Sequence, residues 1–289
     1  MKIFYRSRKS LLVLVLLVVG GCSSTTFIYN RLDFILPWYL DDYVELNKAQ
    51  DVFLDEQLAP FLEWHRNEEL SSYLDVIDGI DAVLEGPVSA EDIAAISLEF
   101  ERAWFRLEGR ALDWLLALGD ELSEEQVGEF LGELWKKQGK YEKKYLDRDD
   151  EEYREDSYES LVDSTQDFLG RLDSTQKQLL EDASAQLIRS DAIWLNERAD
   201  WLRRLEVFMQ REAGWQERIR YAVANRSDTV SEQYLQVYDH NLQVIYAALA
   251  EVLNSRSDKQ DRRLRNRLSE LRKDIETMIS QGQDRAAAA

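Results

Sequence analysis

Apolar residues recur along this chain at steps of three and four, and no stretch of useful length alternates at steps of two. From Ser89, the positions Ile93, Ile96, Phe100, Trp104, Leu107, Ala111, Trp114 and Leu118 trace one stripe closed by Gly119, the pattern of an amphipathic helix with a glycine stop. Before it, a helix is expected from Asn47 through Phe53, Leu54 and Leu58, kinked at Pro60 and continuing to Leu84, where Glu85-Gly86-Pro87 ends it. Val127, Phe130, Leu131, Leu134, Tyr141 and Tyr145 make the next stripe. Tyr158, Leu161, Thr165, Phe168 and Leu172 resume the spacing beyond an acidic run at 147–156, so one long or bent helix is expected across it. From Asp173, Leu187, Trp194, Trp201, Phe208 and Trp215 recur every seven residues, with Ile188, Leu195, Leu202 and Met209 one place on. Such a repeat predicts a helix that packs against a partner with left-handed crossing. Two more helices are expected over about 229–253 and 258–280. Residues 27–45 read as a short helix or two interrupted near Pro37. The fold class is all-α: a bundle of about six to seven helices, some long and coiled-coil-like.

Five of the predicted starts share a signal. Leu46-Asn47-Lys48-Ala49-Gln50, Leu122-Ser123-Glu124-Glu125-Gln126 and Leu172-Asp173-Ser174-Thr175-Gln176 each run apolar, cap, two others, Gln. Val88-Ser89-Ala90-Glu91-Asp92 is close to this form, and Arg256-Ser257-Asp258-Lys259-Gln260 keeps the cap and the Gln. Each reads as a capping box: the Asn, Ser or Asp side chain accepts from the third amide of the helix, and the side chain three residues on bonds back.

The amino terminus follows a different grammar. Lys2, Arg6, Arg8 and Lys9 precede an unbroken apolar run from Leu11 to Val19, then Gly20-Gly21-Cys22. Basic, apolar and small residues in that order mark a secretory signal peptide. The run is about half the roughly 20 residues that a bilayer-crossing helix needs. Cys22 is the chain's sole cysteine, and its place after two glycines makes the segment resemble the lipobox of a bacterial lipoprotein. The alternative is an ordinary signal peptide with an incidental cysteine. The resemblance implies cleavage before Cys22, a diacylglycerol thioether on its sulfur and acylation (a palmitate-type chain) of the new terminus. With Ser23 rather than Asp following, it implies an outer-membrane anchor facing the periplasm. The expected organisation is a signal peptide over 1–21, a lipidated tether over 22–26, a helical domain over 27–282 and a frayed tail over 283–289.

Charge narrows the partners. The chain carries 56 acidic and 36 basic residues, a net charge of −20 that becomes about −24 when Lys2, Arg6, Arg8 and Lys9 leave. Such a surface is repelled by nucleic acid and by anionic headgroups, so DNA and RNA are excluded as partners. With Cys22 acylated, no thiol remains for a disulfide, a zinc site or a nucleophile. For residues 27–45, whose aromatics are mixed with Arg31, Asp33, Asp41, Asp42 and Glu45, packing into the core is favoured over contact with the membrane.

Motifs of catalysis are sparse. No GxSxG, Walker loop or GxGxxG occurs. His65 and His240 are the two histidines, and the nearest carboxylate at helical spacing is Glu69, four residues after His65, which reads as an ion-pairing neighbour before it reads as a metal ligand. Neither a metal nor a cofactor is expected. The acidic run lacks the glycine of a tight calcium loop and reads as solvated surface. One cluster is denser than its surroundings. Trp64, His65, Arg66, Glu68 and Glu69 place an aromatic, an imidazole, a guanidinium and two carboxylates within two turns. They form either an amphipathic turn with Trp64 buried or a recognition patch for a partner or a cell-wall fragment.

The lipobox, Tyr29-Asn30-Arg31-Leu32-Asp33, Pro37-Trp38-Tyr39-Leu40-Asp41-Asp42-Tyr43 and Trp64-His65-Arg66-Asn67-Glu68-Glu69 together resemble a family of proteobacterial lipoproteins with a domain of unknown function, most strongly over 22–75. The resemblance implies an exported helical lipoprotein and no particular activity. The cap-x-x-Gln starts are also similar to the LTxxQ motif of the Spy/CpxP periplasmic chaperones, with Asn47, Ser123 or Asp173 at the Thr position. The leading expectation is a non-enzymatic interaction or scaffold protein of the cell envelope. An ATP-independent chaperone of unfolded clients comes second, and an envelope enzyme without a recognisable site third.

Overall fold

The computed structural model describes residues 24–288, and the expected signal segment and Cys22 lie outside the described residues. The chain is helical wherever the apolar spacing is three and four, and no strand occurs among the described residues. In order the helices are α1 (Ser24–Tyr29), α2 (Leu32–Leu40), α3 (Lys48–Trp64), α4 (Leu70–Val83), α5 (Ala90–Glu121), α6 (Glu124–Leu146), α7 (Asp150–Leu169), α8 (Ser174–Gln186), α9 (Asp191–Phe208), α10 (Trp215–Ala224), α11 (Glu232–Asn254) and α12 (Asp258–Ala288). A π-helical turn, His65–Glu69, joins α3 to α4, and a short 3-10 turn, Arg226–Asp228, precedes α11. The fold is all-α as expected; among the described residues the helices outnumber the six to seven expected, while α5 and α12, of 32 and 31 residues, are long.

All five predicted boxes start helices. Asn47, Ser89, Ser123 and Asp173 each accept from the third amide while residue 50, 92, 126 or 176 bonds back. At the fifth, Ser257 N–H donates to Gln260 and Gln260 N–H to Ser257 Oγ. Four boxes place Gln at the third position, and those four do more than cap. Gln50 Nε2 donates to Gln126 Oε1 at 2.9 Å and Gln126 Nε2 returns the bond at 2.8 Å. Gln50 Nε2 also reaches the carbonyl of Glu121, two residues before the Ser123 cap, while Gln126 Nε2 reaches that of Glu45, two residues before the Asn47 cap. The same knot recurs in the second half. Gln176 and Gln260 exchange bonds, Gln260 Nε2 donates to the carbonyl of Arg171, and Gln176 Nε2 donates to Ser255 Oγ, again two residues before the opposite cap. Each amide thereby satisfies its oxygen at least twice and both its N–H groups, the full capacity of a glutamine.

Three departures have identifiable causes. The long helix expected across the acidic run breaks at Asp147-Arg148-Asp149, because Asp149 and Glu152 form a sixth capping box inside the run. The run is not wholly solvated either: Tyr153 is buried and donates to the carbonyl of Ile188, and Arg148 lies between the carboxylates of Asp191 and Asp156. The heptad stripe does not occupy one helix. Leu187 follows α8, Trp194, Trp201 and Phe208 lie on α9, and Trp215 opens α10. Between α9 and α10 the backbone turns left-handed at Arg211 (φ 54°) and Gly214 (φ 80°), which ends one helix and starts the next. Finally, residues 27–45 divide at Asn30-Arg31 rather than at Pro37, which lies inside α2. Ser24, Thr25 and Thr26, expected as tether, belong to α1, and Thr25 is buried.

The largest apolar cluster joins α4 (Leu70, Ile77), α7 (Val162, Leu169), α8 (Leu180, Ala183), α11 (Ala248, Val252) and α12 (Leu264, Leu268, Ile275, Met278). Others gather round the first knot: Leu116, Leu122, Val127, Met209, Trp215 and Ile219 in one, and Leu54, Leu58, Trp114 and Leu118 in another. Burial of this kind stabilises by about 25 cal/mol per Å² of apolar surface removed from water. α12 packs along α4, α7, α1 and the π turn, which brings the far end of the chain onto the sequence cluster at 64–69.

Candidate functional site

The cluster at 64–69 is where the backbone leaves α geometry. α3 passes through Pro60 without ending, and the following residues take the wider π form, with Leu70 N–H bonding to the carbonyl of His65. Such single turns carry a cost and are frequent at functional positions. His65, Arg66 and Glu69 are buried, Trp64 is half-buried, and Asn67 and Glu68 are exposed.

Each buried group reaches a different element. His65 Nδ1 bonds to the hydroxyl of Tyr29 (2.8 Å) and Nε2 to that of Tyr73 (3.2 Å). Arg66 donates to Asn30 Oδ1 (2.8 Å) and to the carbonyl of Met278 (3.3 Å), and its guanidinium lies 4.7 Å from the centre of the Tyr29 ring. Asn30 in turn donates to Gln281. Glu69 accepts a two-pronged bond from Arg106 at 2.8 and 2.7 Å, the geometry in which a guanidinium holds a carboxylate most specifically. Arg110 lies over the Trp64 ring. α12 comes close enough that a Cβ on Gly282 would stand 2.6 Å from Asn67 Oδ1 and 2.7 Å from Arg66 Cδ, so this helix needs glycine there.

Electrostatics follow from burial. Desolvation, with Arg66 adding to it, pushes the His65 imidazole down to about 4, so the ring is neutral at ordinary pH. Desolvation also pushes the hydroxyls of Tyr29 and Tyr73 above their ordinary range. With both ring nitrogens engaged, the imidazole joins α1 to α4. The arrangement fastens α1, the π turn, α5 and α12 to one another.

The structure therefore brings His65, Arg66 and Glu69 together but gives them separate partners. His65 and Glu69 do not converge on one point, and no group of three or more possible metal ligands is present among the described residues. Glu68 faces solvent. Cys22 lies outside the described residues. Sequence reasoning missed Tyr73, eight residues beyond His65, and Arg106, Met278, Gln281 and Gly282, which are remote in the chain. Tyr29 and Asn30 carry a signal: the Tyr29–Asp33 stretch and the Trp64–Glu69 stretch share one family resemblance, and the structure bonds one to the other.

A sequence model described as "Family of unknown function (DUF6279)" matches residues 42–235, two thirds of the chain. The chain belongs to the DUF6279 family. No curated protein matches it, and no solved structure matches it. The matched region holds the whole first glutamine knot, Gln176 of the second, and the π turn. Tyr29 and Asn30, with Gln260 and α12, fall outside the region that defines DUF6279.

Proposed function

We propose that this DUF6279 protein is an acylated helical lipoprotein, anchored through Cys22 at the periplasmic face of the outer membrane, and that it serves there as an interaction or scaffold protein rather than as an enzyme. The observation that carries this reading is the place of the sole cysteine. It follows the apolar run and Gly20-Gly21 directly, and stands two residues ahead of the helix that begins at Ser24. The polar cluster at 64–69 supports the second half of the reading, because His65, Arg66 and Glu69 all bond to other elements of the fold. The acidic body points to partners other than nucleic acid.

A chaperone resembling the LTxxQ proteins is the second reading. The paired glutamines favour it, since they give the motif a role beyond capping. Trp215, which would be open to clients on that reading, is instead buried with its Nε1 bonded to Asp120. Crosslinking of intact membranes followed by purification of the full chain separates the two. One envelope protein recovered in constant ratio is the expected result. A mixture of unfolded clients would replace the scaffold reading with the chaperone.

A further inference from the structure

Core packing was the expected fate of the aromatics at 27–45, and the structure divides them. Tyr29 packs into the largest cluster, and Leu36 and Leu40 pack against Leu54 and Leu58. Phe27, Phe34, Trp38 and Tyr39 stay outside, 60, 69, 64 and 49 % exposed. Large apolar residues scattered singly over a surface are ordinary, but four aromatics within 13 positions are not. Phe34 and Trp38 share a face of α2, and Arg31, also exposed, lies on that face with its guanidinium 5.0 Å from the centre of the Phe27 ring. The result is a stripe of Phe27, Arg31, Phe34 and Trp38. Asp33 falls about 200° round the helix from Arg31, so no acid interrupts the stripe between Phe27 and Trp38, although the exposed Asp41 and Asp42 follow directly after it in the chain.

We propose that this stripe rests in the headgroup layer of the bilayer that holds the Cys22 lipid. The proposal rests on the lipoprotein reading, and chain length carries it. From Cys22 to Ser24 the backbone spans at most about 7 Å. From Ser24 to Phe27, within α1, it rises about 4.5 Å. Phe27 is thus held within about 12 Å of the acylated residue. α1 cannot swing away to avoid the surface, because Thr25 is buried and bonds to Asp274 of α12, while Tyr29 and Asn30 are held by His65 and Arg66. A rigid body anchored that closely must lay something on the lipid. The stripe has the chemistry of such a layer: aromatic bodies for the acyl boundary and one exposed cation, the Arg31 guanidinium, beside them. The ties round the π turn then set the orientation of the whole bundle on the membrane.

Photo-crosslinking in cells tests this on the full chain. Phe34 and Trp38 are replaced one at a time by benzoylphenylalanine, with Tyr221, an equally exposed aromatic on α10, as the control. Radiolabelled palmitate reports acylation of Cys22 in the same samples. The expected result is a phospholipid adduct at 34 and 38 and none at 221. Adducts to a polypeptide at 34 and 38 would overturn the proposal in favour of a protein partner. No adduct at either position, with palmitate still incorporated, would overturn it while leaving the lipoprotein reading intact. Loss of the palmitate label in unsubstituted protein would instead sink the lipoprotein reading and the proposal with it.

Discussion

Gln176 and Gln260 are 84 residues apart and hold each other by two hydrogen bonds, 3.2 and 2.8 Å long, in the interior of the protein. A plain capping box works with Glu or Gln. A knot needs Gln, because each amide must accept at its own cap and donate across to the opposite chain. The boxes with an acid at the third position, Ser89–Asp92 and Asp149–Glu152, accordingly cap without joining a knot.

Gln176→Glu keeps the acceptor for the Asp173 amide but loses both donors and buries a carboxylate against the Gln260 oxygen. It is expected to cost about 2–3 kcal/mol in urea unfolding. The reverse exchange in a plain box, Glu152→Gln, is exposed and should stay within about 0.5 kcal/mol. Equal effects from the two changes would show that the knot adds nothing to the caps.

His65 makes stability depend on pH in a definite direction. Its folded value is near 4 and its unfolded value about 6.5, so between these the unfolded chain binds the extra proton. The stabilisation is fully present above about 6.5 and is lost as pH falls toward 4, by up to about 3 kcal/mol. His65→Gln removes this titration. The stability gap between wild type and variant should therefore narrow as pH drops from 7 to 4, whereas a constant gap would contradict the buried neutral imidazole.

Two glycines on helices should respond to alanine with opposite signs. Gly132 on α6 has nothing within 4 Å of a new Cβ, so Gly132→Ala should raise stability by about 0.5–1 kcal/mol. At Gly282 the Cβ meets the Arg66 stem, so Gly282→Ala should lower it by about 1–3 kcal/mol. A gain at both positions would mean that α12 does not press on the π turn as described.

The tryptophans of the heptad stripe are not equivalent. Trp215 is buried, and its ring lies where a side chain at Gly119 would begin. Trp215→Ala should cost about 3–5 kcal/mol. Trp201 is only half-buried, with Arg204 over its ring, and its alanine variant should cost about 1–2 kcal/mol. Thermal melts of the two variants give the order directly.

These cases show which parts of the fold could be read from the chain. Helix starts were legible because a capping box is local: cap, spacing and reply sit within four residues. The break at Asp149 follows the same rule but was hidden by the acids around it, where one more Glu carries no contrast. The heptad stripe misled because burial repeats at seven whether or not the backbone stays helical, and the turn at Arg211 has no Gly or Pro at its first left-handed position. That residue is held by its side chain, which bonds to the carbonyls of Gly119 and Leu122 and to Glu124. The density of residues 64–69 was visible, but its meaning lay in partners up to 212 positions away, such as the carbonyl of Met278. Local pattern cannot report those contacts.

Cys22 is the point on which the functional account turns. The most direct measurement compares wild type and Cys22→Ala in a Gram-negative host, reading palmitate incorporation and the distribution between outer-membrane and soluble fractions. The account predicts a labelled, outer-membrane protein for the wild type, and for the variant an unlabelled protein that stays unprocessed or leaves that fraction. A variant processed and fractionated like the wild type would contradict it.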